Sequence, residues 1–396
     1  MKKYFSMIAV VSAIGFWSCD SGKNKQPENN SLGNFEFEKL DSVQVNLLGN
    51  PVLADAAFGK ILLFETKTRE FIVLDQKSEI QSRFILSEDS PEHFGFPLLL
   101  PAFLTEDQVI IPGTKGIFIY DLQGNLKTKL RHPEALSGST FTDFPGYSIE
   151  PLWLANQPKI LSKSFRTYDS YIGEKEFYPR FRGIELLNLQ DSSSKAWIPF
   201  PENSRFLDGN GYIQSDFEPY FGADEQGIYL AFAGEPWLHR YAWLDDSLKF
   251  METLPLDLPE FSEIKGKPIE QLEGIGVSTN LSTAAIRKIT SWNDLILVTF
   301  YPGLSTEQSE SISIEFQKGN REEAMAKMKT ILADRKMGMA IVDKNSFNQI
   351  GIIRFPPWVN ANGFVLDGDD FWFQKAFNPE QEEDFLKIYK VKLIEK

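Results

Sequence analysis

The sequence predicts an all-β protein, a β-propeller of six four-stranded antiparallel blades, from two observations. Six stretches each contain a tight polar turn leading into an apolar strand, at residues 56–65, 103–112, 154–164, 223–232, 291–300 and 366–375. A second apolar strand follows each stretch, usually with a turn and a further strand, from Phe71, Ile117, Ile184, His239, Gly338 and Leu386. Repeated four-stranded units are typical of propellers. The 33 phenylalanines suit the pleated surfaces between stacked blades.

The last unit lacks a fourth strand, because the chain ends after the strand at 386–394. Residues 35–48 are strand-like and precede the first unit without a blade of their own. We expect this segment to pair with the last blade and close the ring, since an open propeller would leave unpaired strand edges.

Connections between strands predict two unlike faces. The turns joining strands one to two and three to four of each blade are short, and we call their side the short-turn face. The other connections form the loop-rich face, and the long ones are 131–152, 163–182, 201–222, 259–290 and 302–337. Loops on a rigid scaffold are where binding residues concentrate.

The loop-rich face carries tyrosines and arginines, which are enriched in binding hot spots. The candidate ligand-binding residues are Glu92, His93, Arg166, Tyr168, Tyr178, Arg180, Arg182, Tyr212 and Tyr220. The alternative is that these aromatic residues fasten the long loops to the ring, with the arginines paired to nearby carboxylates.

One helix is predicted at residues 320–336, with Asn320 as N-cap and Glu323 three residues later. Its apolar stripe contains Met325, Met328, Ile331 and Leu332. We expect the stripe to pack on the loop-rich face; a mobile lid over the channel mouth is the alternative.

The N-terminus has the features of an export signal. Residues 1–18 combine Lys2 and Lys3 with an apolar stretch that is too short to span a bilayer. Cys19, the single cysteine, follows directly and is the predicted lipidation site. Residues 19–34 then form a polar tether, with a root-mean-square span of roughly 20 Å, and residues 35–396 form one propeller domain. We therefore expect a lipid-anchored protein of the cell envelope, with the membrane face undecided.

The charge and motifs exclude several function classes. The net charge is −14, and no run of Lys or Arg follows Lys25, so a nucleic-acid partner is not expected. The three histidines, His93, His132 and His239, lack metal-ligand spacing. We find no nucleophile elbow, P-loop or dinucleotide fingerprint, and so predict no catalytic residue, metal ligand or cofactor.

The chain resembles the six-bladed propeller lipoproteins of Bacteroidetes that carry a domain of unknown function. The resemblance rests on the lipidated N-terminus, on LLGNP at residues 47–51 and on FILSEDSPEHFGFP at residues 84–97, which is similar to the Gly-Pro-rich element that follows the first blade in such proteins. It implies a propeller fold and an envelope location, and it implies no reaction.

These observations favour a membrane-tethered binding or scaffolding propeller that engages a glycan, peptide or protein through its loop-rich face. One alternative is a metal-dependent propeller enzyme of the lactonase, lyase or hydrolase type, with its site in the central channel. Another is a purely structural subunit of an envelope complex. Carboxylates converging in the channel would favour the enzyme, and an aromatic and arginine-rich surface would favour binding.

Overall fold

The predicted propeller is confirmed by the computed structural model, whose described residues form six four-stranded antiparallel sheets. The structure describes residues 34–47, 49, 51–132, 149–154, 157–164, 169–244, 247–262, 264–272, 283–334, 337–376 and 385–396. First strands of neighbouring blades contact one another. They therefore surround a central channel, and the later strands lie progressively outward.

The strands of each blade follow one another along the chain, except at the ring closure. Blade 1 contains β2 (Val52–Ala57), β3 (Lys60–Glu65), β4 (Glu70–Asp75) and β5 (Ile80–Ile85). Blade 2 contains β6 (Ala102–Thr105), β7 (Gln108–Gly113), β8 (Gly116–Asp121) and β9 (Leu126–Leu130). Blade 3 contains β10 (Ile149–Leu154), β11 (Gln157–Lys163), β12 (Ile184–Asn188) and β13 (Ser194–Trp197). Blade 4 contains β14 (Pro219–Ala223), β15 (Gly227–Phe232), β16 (Trp237–Leu244) and β17 (Ser247–Pro255). Blade 5 contains β18 (Ala285–Trp292), β19 (Leu295–Tyr301), β20 (Gly338–Asp343) and β21 (Asn348–Arg354). Blade 6 contains β22 (Val359–Asp367), β23 (Asp370–Lys375) and β24 (Leu386–Glu395), with β1 (Phe35–Val45) as its outer strand.

The N-terminal strand closes the ring, as the sequence predicted. β1 pairs antiparallel with β24 along its length, from Phe35 opposite Glu395 to Val45 opposite Leu386. The ammonium of Lys39 also lies 3.9 Å from the centroid of the Tyr389 ring. Because β1 supplies the outer strand of blade 6, both ends of the described domain are held in one sheet.

The core consists of apolar clusters between neighbouring blades. One cluster joins Phe64 and Phe71 of blade 1 to Phe118 of blade 2, and another joins Trp372 of blade 6 to Ile72 of blade 1. Phenylalanine therefore has the predicted role of filling the space between pleated sheets. The stacking leaves the channel-facing side of the inner strands free for other side chains.

The helices lie in the long connections. They are α1 (Phe177–Arg180), α2 (Gln214–Phe217), α3 (Thr306–Gln317) and α4 (Arg321–Asp334), with single 3-10 turns at Arg205–Leu207 and Ile269–Leu272. No helix among the described residues is long and apolar enough to cross a membrane.

Helix α4 is the predicted helix, and α3 is an additional one that forms a hairpin with it. Met328 and Ile331 pack partly buried in a cluster that includes Ile312 of α3 and Ala324, whereas Met325 is exposed. Only part of the predicted apolar stripe is thus packed against other residues. The side chain of Leu332 lies outside the described residues.

Candidate functional site

The central channel contains a cavity of about 370 Å³. Three ionisable side chains line it: Asp55 of β2, Glu150 of β10 and Lys288 of β18. They come from blades 1, 3 and 5, while the alternate blades contribute Ala102, Ala223 and Phe364 to the lining. Charged groups therefore alternate with small or apolar groups around the ring.

Strand register gives the depth of each group in the channel. Glu150 lies opposite Leu161, which is four residues after Gln157, the first residue of β11. Lys288 lies opposite Thr299, which is four residues after Leu295, the first residue of β19. Asp55 pairs with Leu62, only two residues into β3 from Lys60. Glu150 and Lys288 are therefore level, whereas Asp55 lies nearer the short-turn face by about 7 Å of strand length.

The Lys288 ammonium is held by blade 6. Its Nζ donates a hydrogen bond to the Phe364 carbonyl at 2.6 Å and lies 4.4 Å from the centroid of the Phe364 ring. Burial lowers the pKa of Lys288 to about 8, although the charges of Glu150 and Asp55 oppose the change. Two of the three ammonium N–H groups remain available for another acceptor.

Asp55 is oriented by backbone hydrogen bonds. Its Oδ2 accepts from the amide of Phe103 at 2.7 Å, and its Oδ1 accepts from the amide of Ala56 at 2.8 Å. Burial nevertheless raises the pKa of Asp55 to about 6, against the lowering effect of these bonds and of Lys288. The bond to Phe103 ties this carboxylate to blade 2.

Glu150 is the least restrained of the three. Burial raises its pKa to about 8 and the charge of Asp55 adds to the effect, while Lys288 opposes it. Among the described residues its carboxylate has no hydrogen-bond partner. A carboxyl group that keeps its proton near neutral pH can donate as well as accept a hydrogen bond.

The three groups influence one another without being bonded together. Within the described part of the chain, neither carboxylate lies within ion-pair distance of the Lys288 ammonium. Each side chain touches the cavity interior, yet protein surrounds the cavity on its sides, so burial penalises the charged forms. The arrangement leaves space between opposite charges, as a ligand site requires.

The cavity lining extends to the short-turn face at Asn293 and Gly368. Ser291, also in the lining, donates a hydrogen bond to Asp224 Oδ2 at 2.5 Å, and Lys344 Nζ lies 2.9 Å from the same oxygen. The Asn293 amide donates to Asp369 Oδ1 at 2.9 Å. These contacts join blades 4, 5 and 6 around the channel end.

No group of three or more His, Cys, Asp or Glu side chains is placed to hold a metal ion in the ranges that the structure describes. The channel combines two carboxylates with a lysine. This donor set is suited to hydrogen bonding, charge pairing and proton transfer.

The predicted tyrosines lie in the protein interior. Tyr178, Tyr212 and Tyr220 are each at most 3% exposed. The Tyr178 hydroxyl donates to the Tyr212 carbonyl at 2.9 Å and accepts from the Tyr212 amide at 2.6 Å. These two hydrogen bonds join two of the long loops, 163–182 and 201–222.

The other predicted residues are scattered. Arg182 donates to the carbonyls of residues 179, 180 and 181 at the end of α1, whereas Arg180 is exposed. Glu92 is exposed. His93 is buried, stacks on Phe94 at 4.6 Å between ring centroids, and accepts at Nδ1 from the Gly95 amide at 3.0 Å.

Cys19, Arg166 and Tyr168 lie outside the described residues. Among the predicted binding residues within the described ranges, Glu92 and Arg180 are the exposed ones.

Asp55, Glu150 and Lys288 were missed by the sequence analysis. Its repeat units began at residues 56, 154 and 291, close to the polar turns, whereas the inner strands begin at Val52, Ile149 and Ala285. The available signal was a charged residue within each of these largely apolar strands: Asp55 in β2, Glu150 in β10, and Lys288, next to Arg287, in β18.

Neither a family model nor a curated protein matches the sequence. Among solved structures, a member of the DUF4221 family from Bacteroides vulgatus has 14% identity, covers 92% of this chain and 100% of its own, and has a TM-score of 0.58. A Bacteroides fragilis protein predicted to be exported has 10% identity, covers 93% of this chain and 96% of its own, and has a TM-score of 0.51. The resemblance to Bacteroidetes propellers is confirmed. At these identities the likeness establishes the fold alone.

Proposed function

We propose that this protein is a lipid-anchored binding propeller of the cell envelope, and that its central cavity takes a small polar ligand. The observation that carries the proposal is the placement of Asp55, Glu150 and Lys288 around one cavity without direct pairing. Ligand sites are concave, with a few converging polar groups, and groups with perturbed pKa values concentrate at such sites. A volume of about 370 Å³ suits a small metabolite.

A purely structural role explains this cluster poorly. Burying ionisable groups is unfavourable unless they are paired and hydrogen-bonded. The alternate blades contribute Ala102, Ala223 and Phe364 to the same lining, and these side chains carry no such penalty. Charges retained without a direct ion pair therefore have their natural counterpart in a bound molecule.

The topology places both ends of the described domain on one face. The outer strand β1 runs from the short-turn face, and the Lys396 amide donates to the Asn34 carbonyl at 2.8 Å, so both ends lie on that face. Likeness to a Bacteroides fragilis protein predicted to be exported supports an extracytoplasmic location.

A glycan, peptide or protein partner on the loop-rich face stays a second proposal. Glu92 and Arg180 are exposed on this face and would be accessible to such a partner. If this face is the binding surface, R180A weakens partner binding while E150Q does not. The two proposals therefore predict opposite sensitivities.

The central-cavity proposal is tested by a thermal-shift screen of small polar metabolites against the mature chain, followed by titration of each stabilising compound. We expect stabilisation to be lost in K288M and in E150Q and kept in R180A, the matched control on the loop-rich face. Compounds that stabilise all three variants equally would show that the cavity is not the binding site.

A further inference from the structure

We infer that the ligand of the central cavity carries an ammonium group bound between Glu150 and Asp55, together with an oxygen acceptor that faces Lys288. The ligand would be a small amino alcohol, an amino acid or a dipeptide with a free amino terminus. This inference rests on the proposed function and specifies the ligand for the same cavity.

The first argument is charge balance inside the cavity. Two carboxylates and one ammonium sum to −2 + 1 = −1 when all are ionised. An uncompensated charge surrounded by protein is unfavourable, and burial together with the charge of Asp55 accordingly raises the pKa of Glu150, which favours retention of one proton by the cluster. A ligand ammonium supplies the missing positive charge and takes the place of that proton.

The second argument is the hydrogen-bonding capacity that the cluster leaves unused. Glu150 has no partner among the described residues, and each Asp55 oxygen accepts one backbone hydrogen bond. Ionised carboxylates accept about two hydrogen bonds per oxygen, and an ammonium group donates three. Lys288, with one N–H on the Phe364 carbonyl, keeps two donors for a ligand oxygen. The free groups thus match a molecule with one ammonium and one acceptor.

The third argument is the arrangement of these groups in space. Glu150 and Lys288 lie level on blades 3 and 5. The intervening blade 4 contributes the small Ala223 to the cavity wall nearer the short-turn face, since Ala223 pairs with Ile228, one residue into β15. Asp55 lies nearer the short-turn face. The exposed turn residues Glu225, Asp294 and Asp369 make that face acidic, and the whole chain has a net charge of −14. This field attracts cations toward the channel and repels anions.

The test measures protons released when a simple amine binds. Ethanolamine is the first probe and glycylglycine the second, added to the mature chain in weakly buffered salt near neutral pH with an indicator dye. Ethylene glycol and acetate are the matched probes without an ammonium group. We expect the amines to release up to about one proton per protein molecule and to raise the melting temperature, whereas the controls do neither.

Two variants assign the proton to Glu150. E150Q should release no proton and bind ethanolamine roughly tenfold or more weakly, because a charged partner has been removed. E150D keeps the carboxylate and should restore release with weaker binding. The melting temperature of each ligand-free variant shows that it is folded, and Glu202→Gln, at an exposed position, should behave as the wild type.

Several results would overturn the inference. They are proton uptake on addition of acetate with no response to amines, equal proton release by E150Q, or no response of the wild type to either amine. If screened metabolites lose binding in E150Q and K288M but none carries an amine, the ligand class is wrong and the cavity proposal stands. If screened metabolites bind regardless of these variants, the cavity proposal itself fails.

Discussion

Replacing Glu150 by glutamine should change how the stability of the protein depends on pH. In the folded protein burial raises the pKa of Glu150 to about 8, against an ordinary value of 4.5. Between these two pH values the folded state keeps a proton that the unfolded state has lost. The free energy of unfolding of the wild type therefore falls as pH rises through this window and stays lowered above it. Glutamine has no proton to lose, so E150Q lacks this effect.

The size of the effect follows from the difference in pKa. A difference of 8 − 4.5 = 3.5 pH units corresponds to roughly 5 kcal/mol, at about 1.4 kcal/mol per unit. Because the carboxyl touches the cavity interior, water there reduces the penalty, and we expect about 2 kcal/mol. The coupling to Lys288 acts in the opposite direction, since that ammonium gains an anionic neighbour when Glu150 ionises.

The assay is urea unfolding of the wild type and E150Q across the pH range from 4.5 to about 8, with the difference between the two free energies plotted against pH. We expect the free energy of unfolding of E150Q to increase relative to that of the wild type as pH rises. The exposed Glu202 provides the matched control, and the difference between E202Q and the wild type should be flat. A flat difference for E150Q would refute the placement of Glu150 in an environment that disfavours its charge.

Three further predictions test the fold and the loop contacts. Deletion of residues 35–45 removes β1 from β24 and should abolish cooperative thermal unfolding; an unchanged transition would show that the ring closes without β1. R182A should lower the free energy of unfolding, measured with denaturant, by about 1 kcal/mol because Arg182 donates hydrogen bonds to three carbonyls. The free energy of unfolding of R180A should lie within about 0.5 kcal/mol of the wild-type value. Y178F should cost about 2 kcal/mol by leaving the buried amide of Tyr212 without its acceptor, and a neutral result would argue against that bond.

The repeat and the ring closure were predictable because they depend on local signals. Polar residues in tight turns between apolar strands mark each hairpin, and counting strands leaves one missing partner for β24. Helix α4 was predictable from Asn320 and the apolar positions after it. Helix α3 was missed although Ser305 and Gln308 form a capping box, because few of its side chains are apolar and only Ile312 is buried.

The channel site was not predictable in the same way. A charged residue in a strand normally indicates a solvent-facing position, and nothing local distinguishes an outer edge from the wall of a channel. Asp55, Glu150 and Lys288 are far apart in the sequence, and only closure of the ring brings them around one cavity. Tyr178 and Tyr212 show the converse, since residue types enriched at binding surfaces are here used to fasten loops.

Closure also explains why these charges can be retained. Apolar clusters between neighbouring blades provide the packing of the ring, so the channel-facing positions of the inner strands are not needed for that core. Ala102 and Ala223 show that small side chains suffice on alternate blades, and the remaining volume persists because the sheets that surround it are already packed against one another. A site built on three rigid strands holds its charges at fixed separation. Ligand specificity in such a site would follow from the distance between Glu150 and Lys288 rather than from the adjustment of a loop.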